Sequence, residues 1–166
     1  PYLESISKYA TDKPDLRNPI EMSDVTDVFE ESGFKIFSDS IKKDNNVKVW
    51  GIPAKNGGSR AFCDKMNSWA INEGQPGLGY IFFKNGSGSG PIAKNIGEEK
   101  TSALKNKFKL SDNDAVFFIC GVPKTFLTFA SSARDKIGND LGLINEDSFE
   151  FCWIVDFPMY EFDEIN

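Results

Sequence analysis

Stretches typical of strands alternate with stretches typical of helices along this chain, and this alternation limits the fold more than any other feature of the sequence. Apolar or alternating runs predict four strands, at residues 34–37, 47–52, 78–83 and 114–120. A turn-like stretch at residues 42–46 predicts a hairpin between the first two strands. The run at residues 152–161, with the bulky Trp153, Ile154 and Val155, predicts a last strand, which Pro158 ends because proline has no N–H to donate.

Three longer helices are predicted between these strands. In the first, Phe62, Met66 and Trp69 recur at intervals of four and three residues, which places them on one face. The second, at residues 98–109, has acidic residues in its first turn and lysines in its last turns, which suits the helix dipole. The third, from residue 123 onwards, begins with proline and continues with a stripe of phenylalanine and alanine.

This order of elements predicts an α+β fold in two layers, with helices packed on a mostly antiparallel sheet. The 166 residues are enough for one sizeable core. Residues 1–24 are rich in turn signals and are predicted to be a linker with one helical turn near its start. Residues 25–150 are predicted to form the domain, opening with a short helix, and residues 151–166 to form a strand that leaves it.

The sequence contains no histidine, which excludes a histidine-based catalytic triad, a histidine zinc site and histidine acid–base catalysis. Cys63, Cys120 and Cys152 are widely spaced, so they predict reduced thiols and no metal cluster. No apolar run approaches the roughly 20 residues that cross a bilayer, and no signal peptide is visible. We therefore expect no metal site, no membrane contact and a cytoplasmic location.

Charge is unevenly distributed along the chain. Residues 1–34 carry 3 basic and 8 acidic side chains, residues 137–166 carry 8 acidic and no basic ones, and residues 35–109 carry 13 basic and 6 acidic ones. The net charge of −6 disfavours nucleic-acid binding by the chain as a whole. The basic stretch nevertheless fits two interpretations, a solvated lysine-rich surface or a local patch that binds phosphates.

The glycine- and serine-rich stretch at residues 85–90 follows a predicted strand, as a phosphate-binding loop does. It lacks the lysine and the serine or threonine that complete a P-loop, so a flexible loop is the simpler interpretation. An intermediate interpretation is that its backbone N–H groups, together with Lys94, contact an RNA phosphate.

Carboxylates cluster near both ends of the chain. Asp12 and Asp15 flank a proline next to Arg17, which favours a local turn and salt bridge over a catalytic acid pair. The acidic residues near the other end are Asp156, Glu161, Asp163 and Glu164. Asp156 and Glu161 could form a metal-binding pair, but an exposed acidic tail is the favoured interpretation.

Four aromatic residues in predicted strands are candidates for stacking on bases of RNA. They are Phe37, Trp50, Tyr80 and Phe82. The glycine–aromatic signature of the RNA-recognition motif is absent, so packing in the core is the favoured role for most of them.

Two runs near the ends of the chain resemble a known family. Residues 153–161, Trp-Ile-Val-Asp-Phe-Pro-Met-Tyr-Glu, resemble the segment of bacterial-type aspartyl-tRNA synthetases where the chain returns to the catalytic domain. Residues 9–17, Tyr-Ala-Thr-Asp-Lys-Pro-Asp-Leu-Arg, resemble the stretch by which those enzymes leave that domain. Blocks that resemble their large insertion, the GAD domain, follow in the family's order at residues 34–37, 77–81, 90–94, 114–118, 133–134 and 138–144. One departure is Gly121-Val122-Pro123, where the family often has Gly-Ala-Asp.

The resemblance implies a two-layer GAD-type (DCoH-like) insertion domain of an aspartate–tRNA ligase, which is a class II aminoacyl-tRNA synthetase. Such an enzyme attaches L-aspartate to tRNA through an aspartyl-adenylate, uses ATP and Mg²⁺, and forms a homodimer through surfaces elsewhere. The implied partners are tRNA and the catalytic domain of the same chain. Because the family's Phe-Arg-Asp-Glu motif and its later glycine-rich motif are absent, we expect no catalytic, cofactor-binding or metal-binding residues and no aminoacylation by this chain.

The role that the resemblance implies is an accessory one, to contact the acceptor end of tRNA or to make room for it. The candidate residues for tRNA contact are Lys84, Lys94, Lys105 and Lys107, and Lys94 matches the family's Pro-Ile-Ala-Lys block. The alternative is a GAD-type module of a tRNA-dependent amidotransferase subunit, which the run at 153–161 disfavours. A stand-alone enzyme shaped like the pterin dehydratases is also disfavoured, because those enzymes use histidines.

Overall fold

A five-stranded antiparallel sheet forms the centre of the structure, a computed structural model that describes residues 1–160. The strands are β1 (Ser23–Asp24), β2 (Lys48–Ala54), β3 (Gly79–Lys84), β4 (Ser87–Ser89) and β5 (Ala115–Gly121). Their order across the sheet is β1-β2-β5-β3-β4, and all neighbours are antiparallel. The last long strand in the sequence, β5, is therefore the central strand and pairs with β2 on one side and β3 on the other.

Helices cover both faces of this sheet. They are α1 (Tyr2–Tyr9), α2 (Thr26–Glu30), α3 (Lys35–Lys43), α4 (Arg60–Asn72), α5 (Pro91–Ile96), α6 (Glu98–Lys107) and α7 (Pro123–Asp140). Phe117 and Ile119 of β5 pack with α1, α4 and α7 on the first face, whereas Val116 and Phe118 pack with α2, α3, α5 and α6 on the second face. Successive strand residues point to opposite faces, so β5 contributes to two apolar clusters.

The predicted α+β fold, with helices packed on an antiparallel sheet, is confirmed. The structure adds a helical layer to the two layers that were predicted, because the apolar residues of β5 need cover on both sides. The three strongly patterned helices correspond to α4, α6 and α7, and the hydroxyl of Ser59 caps α4 by accepting the N–H of Phe62 at 3.1 Å. Within residues 1–160, none of the helices is long and apolar enough to cross a membrane.

The strand predicted at residues 34–37 is wrong, because these residues begin helix α3. Phe37 and Ile41 lie one helical turn apart and are buried, whereas Ile36 is 69% exposed. A run of four alternating residues fits a strand, but the burial pattern follows the helical period. The hairpin predicted at residues 42–46 is wrong for the same reason. A turn links α3 to β2 there, and the carboxylate of Asp44 accepts the N–H of Asn46 at 2.8 Å.

The glycine- and serine-rich stretch is a loop only in part. Residues Ser87–Ser89 form the edge strand β4, and α5 begins directly after Gly90. A Cβ atom at Gly88 would lie 2.2 Å from Cγ2 of Thr101, so only glycine allows α6 to pack this closely on β4. This strand and α5 escaped prediction because close packing fixes them, and glycine and serine have little strand propensity of their own.

Residues 1–24, the N-terminal segment, pack onto the first face of the sheet. Helix α1 has about two turns where one was predicted, and Ile20 and Met22 are buried in the apolar cluster of that face. The segment therefore contributes to the core. Its function as a linker to another domain stays a prediction.

Residues 149–160, the C-terminal segment, form no strand in the structure, although a strand was predicted from residue 151. Phe151 and Trp153 are 90% and 92% exposed. No strand within the described part of the chain pairs with this segment, and a strand without partners is not stable in water. Its return to a catalytic domain stays a prediction, and residues 161–166, with Glu161, Asp163 and Glu164, lie outside the described residues.

Candidate nucleic-acid interface

A groove of about 400 Å³ opens where the β3–β4 hairpin meets α5 and α6. We call it the lysine groove, and the residues that line it are Phe83, Gly86, Ser87, Gly88, Ala93, Lys94, Glu98, Thr101, Ser102 and Lys105. Two of the four lysines predicted to contact tRNA, Lys94 and Lys105, are among them. The groove lies on the second face of the sheet, next to its outermost strand.

The local sequence explains why this groove forms. Gly90 has a φ of 119° and lets the chain turn from β4 directly into α5. Gly97, with a φ of 85°, separates α5 from α6, so two short helices present one lysine each towards the hairpin. The hydroxyl of Thr101 donates to the carbonyl of Gly97 at 2.7 Å and thereby fixes the first turn of α6.

Lys105 is held at the hairpin turn by several contacts. Its Nζ donates to the carbonyl of Gly86 at 3.2 Å, lies 3.5 Å from Oδ1 of Asp112, and stands 5.6 Å from the ring centroid of Phe83. The same Asp112 carboxylate accepts the Gly86 N–H at 3.0 and 3.1 Å. The charge of Lys105 is therefore positioned precisely by the turn but partly compensated by Asp112.

Lys94 lies exposed on α5, and among residues 1–160 it forms no ion pair. Its ammonium group is thus the least compensated positive charge at the groove. Glu98 supplies one carboxylate to the lining, and the Asp112 carboxylate lies beside Lys105, so the ammonium group of Lys94 carries the charge that attracts a phosphate group. The hydroxyl of Ser102 adds hydrogen-bonding capacity, whereas the hydroxyl of Thr101 already donates to the carbonyl of Gly97.

The other two predicted lysines lie outside the groove. Lys84 is exposed at the end of β3 and belongs to the same hairpin, but it alternates with Phe83 and therefore points to the opposite face of the sheet. Lys107 donates to the carbonyl of Asp24 in β1 and lines a separate cavity near Phe108. The structure thus brings Lys94 and Lys105 together, keeps Lys84 nearby, and places Lys107 elsewhere.

The aromatic candidates are divided in the same way. Phe37 and Trp50 are buried in the core, whereas Tyr80 and Phe82 of β3 are only partly buried, on the first face of the sheet. The hydroxyl of Tyr80 donates to Oδ1 of Asp64 at 2.6 Å. Burial and this hydrogen bond raise the pKa of Tyr80 to about 12, so the phenol stays neutral at physiological pH.

Sequence reasoning missed the hydroxyl residues of the groove, Thr101 and Ser102. The signal that could have revealed them is Gly88, because a glycine inside a strand often marks the close approach of another element. The helix that approaches at Gly88 is α6, and its approach brings Thr101 and Ser102 next to the hairpin.

Two of the free thiols, those of Cys63 and Cys120, lie outside the lysine groove. Burial raises the pKa of the Cys63 thiol to about 12 and that of Cys120 to about 11, so both stay protonated at neutral pH. Over residues 1–160, no three Cys, Asp or Glu side chains converge in a way that could hold a metal ion.

The chain is similar to known proteins over nearly its whole length. The family model described as the GAD domain matches residues 37–129. The chain is 60% identical to an aspartate–tRNA(Asp/Asn) ligase of Parvibaculum lavamentivorans, 57% identical to that of Mesorhizobium japonicum and 59% identical to that of Brucella ovis. Each match covers 99% of this chain and 28% of the relative, so the chain spans about a quarter of the length of these curated relatives.

Proposed function

Because the chain belongs to the GAD domain family, we propose that it is the GAD domain of an aspartate–tRNA ligase. The observation that carries this proposal is identity of 57–60% to three bacterial ligases over 99% of the chain. The parent enzyme attaches L-aspartate to tRNA through an aspartyl-adenylate, and its parts outside these residues bind ATP and Mg²⁺. These relatives are aspartate–tRNA(Asp/Asn) ligases, which supports the same pair of tRNA substrates for the parent.

The coverage of the match also bears on the alternative, a GAD module of an amidotransferase subunit. The aligned region includes the N-terminal segment and the C-terminal segment as well as the domain between them. Both ends resemble ligase sequence outside the GAD domain. This extent supports a ligase as the parent.

Within the parent, the domain has an accessory function, which is to hold the acceptor end of the tRNA near the active site. The lysine groove supports this function because Lys94 and Lys105 line one cavity beside the edge strand β4. Residues 35–109, which contain the groove, carry a net charge of +7 from 13 basic and 6 acidic side chains. The acidic ends of the chain leave this central region as the surface that attracts RNA.

Binding of an RNA hairpin with the sequence of the tRNA acceptor end tests this function. We expect the chain to bind the RNA in 50 mM salt and to lose affinity steeply at 200 mM, because phosphate contacts release counterions. The variant K94A is expected to weaken binding several-fold and to lower the slope of log affinity against log salt by about one. The matched control is K107A, since Lys107 lies outside the groove and its amine is held by Asp24.

Fluorescence anisotropy of the labelled hairpin measures these affinities. Equal affinities for K94A and K107A would contradict the assignment of the groove, and absence of binding at 50 mM salt would contradict the accessory function itself. In parallel, an assay of ATP–pyrophosphate exchange with aspartate is expected to detect no activity in this chain. Any aspartate-dependent exchange would contradict the placement of the catalytic parts outside these residues.

A further inference from the structure

The side of the β3–β4 hairpin opposite the lysine groove carries aromatic residues that the core does not fully cover. Tyr80, Phe82 and Lys84 alternate with Ile81 and Phe83 along β3, so the first three share the first face of the sheet. Ile81 and Phe83 are fully buried in the apolar cluster of the second face, whereas Tyr80 and Phe82 are partly exposed and Lys84 is exposed.

The neighbouring strand extends this surface with polar groups. Ser89 lies opposite Phe82 and Ser87 lies opposite Lys84, and residues opposite each other in an antiparallel pair point to the same face. Helix α7 packs on β2 and β5, helix α4 packs on β3, and β4 is the edge of the sheet. The aromatic stripe, which we define as Tyr80 and Phe82, is therefore bordered by hydroxyls and a lysine at an open edge.

Two features keep the stripe in place. The rings of Tyr80 and Phe82 lie 6.4 Å apart at an interplanar angle of 33°, and the hydroxyl of Tyr80 is fixed by its hydrogen bond to Asp64. The rings are thus preorganised, which lowers the entropy lost on binding a flat ligand.

The geometry points to a base-stacking site for unpaired nucleotides of RNA on the aromatic stripe. A partly exposed aromatic ring next to a lysine on a sheet face offers a surface for a base and a charge for its phosphate. Charge complementarity supports RNA as the occupant, since the exposed Lys84 borders the stripe on β3. The exposed Arg60 on the adjacent α4 is paired with Asp64 at 3.6 Å, so the excess positive charge beside the stripe is that of Lys84. The lysine groove on the other face of the same hairpin supplies the contact to a further phosphate.

This inference rests on the proposed function and refines it. The lysine groove reads only charge, whereas the aromatic stripe distinguishes unpaired nucleotides from a duplex, whose bases are already stacked. A tRNA acceptor end contains both kinds of structure, a short duplex followed by a single strand. The hairpin thus has one face for the phosphates and one for the unpaired bases.

Two RNA hairpins that differ only in a single-stranded 3′ tail of four nucleotides test the site, with 2-aminopurine in the tail as a fluorescent reporter of stacking. The chain is expected to bind the tailed hairpin roughly tenfold more tightly than the blunt one and to quench the reporter, as one stacked base commonly contributes this factor. F82L and Y80L are each expected to lose most of the tail preference and the quenching. The ring-preserving variant F82W is expected to retain both. Y80F keeps the ring but loses the hydrogen bond to Asp64, so it is expected to retain both only in part.

The control is F149L, which removes an exposed aromatic ring from the C-terminal segment and is expected to change neither quantity. Thermal unfolding of each variant verifies that it is folded, and comparing F82L with F82W separates loss of the ring from disturbance of the strand. A tail preference that survives in both F82L and Y80L overturns the stacking site while the proposed function stands. If neither RNA binds at low salt, the proposed function fails and the stacking site fails with it.

Discussion

The sequence predicts the same role for the two ends of the chain, but in the structure one end packs on the domain and the other end is exposed. Both the N-terminal segment and the C-terminal segment are predicted to connect this domain to another one. In the structure, the former is fixed to α7 by a buried arginine, whereas the latter carries the most exposed aromatic side chains of the described residues.

Arg134 explains why the N-terminal segment is fixed to α7. Its guanidinium, 1% exposed, donates to the carbonyls of Asp15 at 2.9 Å, Asn18 at 2.7 Å and Ile20 at 2.8 Å, and it lies 4.9 Å from the ring centroid of Tyr9. Buried backbone carbonyls need such donors, and a guanidinium satisfies several at once. The C-terminal segment has few comparable contacts. The N–H of Tyr2 donates to the carbonyl of Val155 at 2.7 Å, and the rings of Tyr2 and Phe157 lie 5.1 Å apart.

An irregular segment thus belongs to a domain when its backbone groups form hydrogen bonds there. Turn-forming residues alone do not indicate whether a segment is a linker. Substitutions in the two terminal segments, and in the residues that contact them, test how firmly each segment is packed.

Replacing Arg134 by alanine should cause the largest loss of stability. The change leaves three buried carbonyls without their charged donor, so we expect the free energy of unfolding to fall by about 3 kcal/mol or more. Urea unfolding followed by circular dichroism measures this. The control is R17A, because Arg17 pairs with Asp15 at the surface and should contribute less than about 1 kcal/mol. Equal effects of R134A and R17A would refute the proposed anchoring of the N-terminal segment.

Replacing Gly138 by alanine should have the next largest effect. A Cβ atom there would lie 2.4 Å from Nδ2 of Asn18, which is buried and donates to the carbonyl of Arg134 at 3.1 Å. Because Asn18 cannot move without losing this bond, we expect a loss of about 1–3 kcal/mol in the free energy of unfolding. G121A is the matched control, since its Cβ atom would meet the ring of Phe126 at an ordinary 3.4 Å. A stability of G138A equal to that of G121A would show that the segment is packed more loosely than described.

The sequence predicts the strongly patterned elements of this fold but not the anchoring of the N-terminal segment. The stripe of Phe62, Met66 and Trp69 identifies α4 because the helical period is repeated over about two turns. Arg134 carries no such signal, since an arginine in an amphipathic helix is ordinarily exposed. Its burial depends on carbonyls about 115 residues away in the sequence, and only the tertiary fold brings them together.

The surface pair of Asp15 and Arg17 predicts a small effect that depends on pH. The hydrogen bond from the Arg17 side chain lowers the pKa of Asp15 below its usual value. A carboxyl whose pKa is lower in the folded state stabilises the fold above its unfolded pKa near 4, and this contribution is lost as the pH falls through the folded value. D15N should therefore cost less than about 1 kcal/mol at pH 7, and the difference from the unmodified chain should shrink towards pH 3. A difference that grows as the pH falls would contradict this assignment.

The smallest effect is expected in the C-terminal segment. W153S removes a side chain that is exposed in the structure, so the free energy of unfolding should change by less than about 0.5 kcal/mol. The fluorescence of Trp153 should also be quenched by iodide far more strongly than that of the buried Trp50. Protection of Trp153 from iodide would show that this segment packs against the domain.

The candidate site could likewise be predicted only in part. Residue type and the resemblance to synthetases pointed to four lysines, but nothing in the sequence separated Lys105 from Lys107, which belongs to the same predicted helix. The separation arises because Lys107 reaches β1 whereas Lys105 reaches the hairpin turn. The partial exposure of Tyr80 and Phe82 depends on how far α4 extends over the sheet, and a sequence pattern does not give that distance.

An NMR titration of the isotope-labelled chain with the tailed acceptor-end RNA tests most directly whether the β3–β4 hairpin contacts RNA. We expect chemical-shift changes to concentrate in residues 80–105, on both faces of the hairpin. Lys107, the N-terminal segment and the C-terminal segment should remain unchanged. Changes centred on either segment, or spread evenly over the surface, would contradict the claim that this hairpin is the part of the domain that contacts RNA.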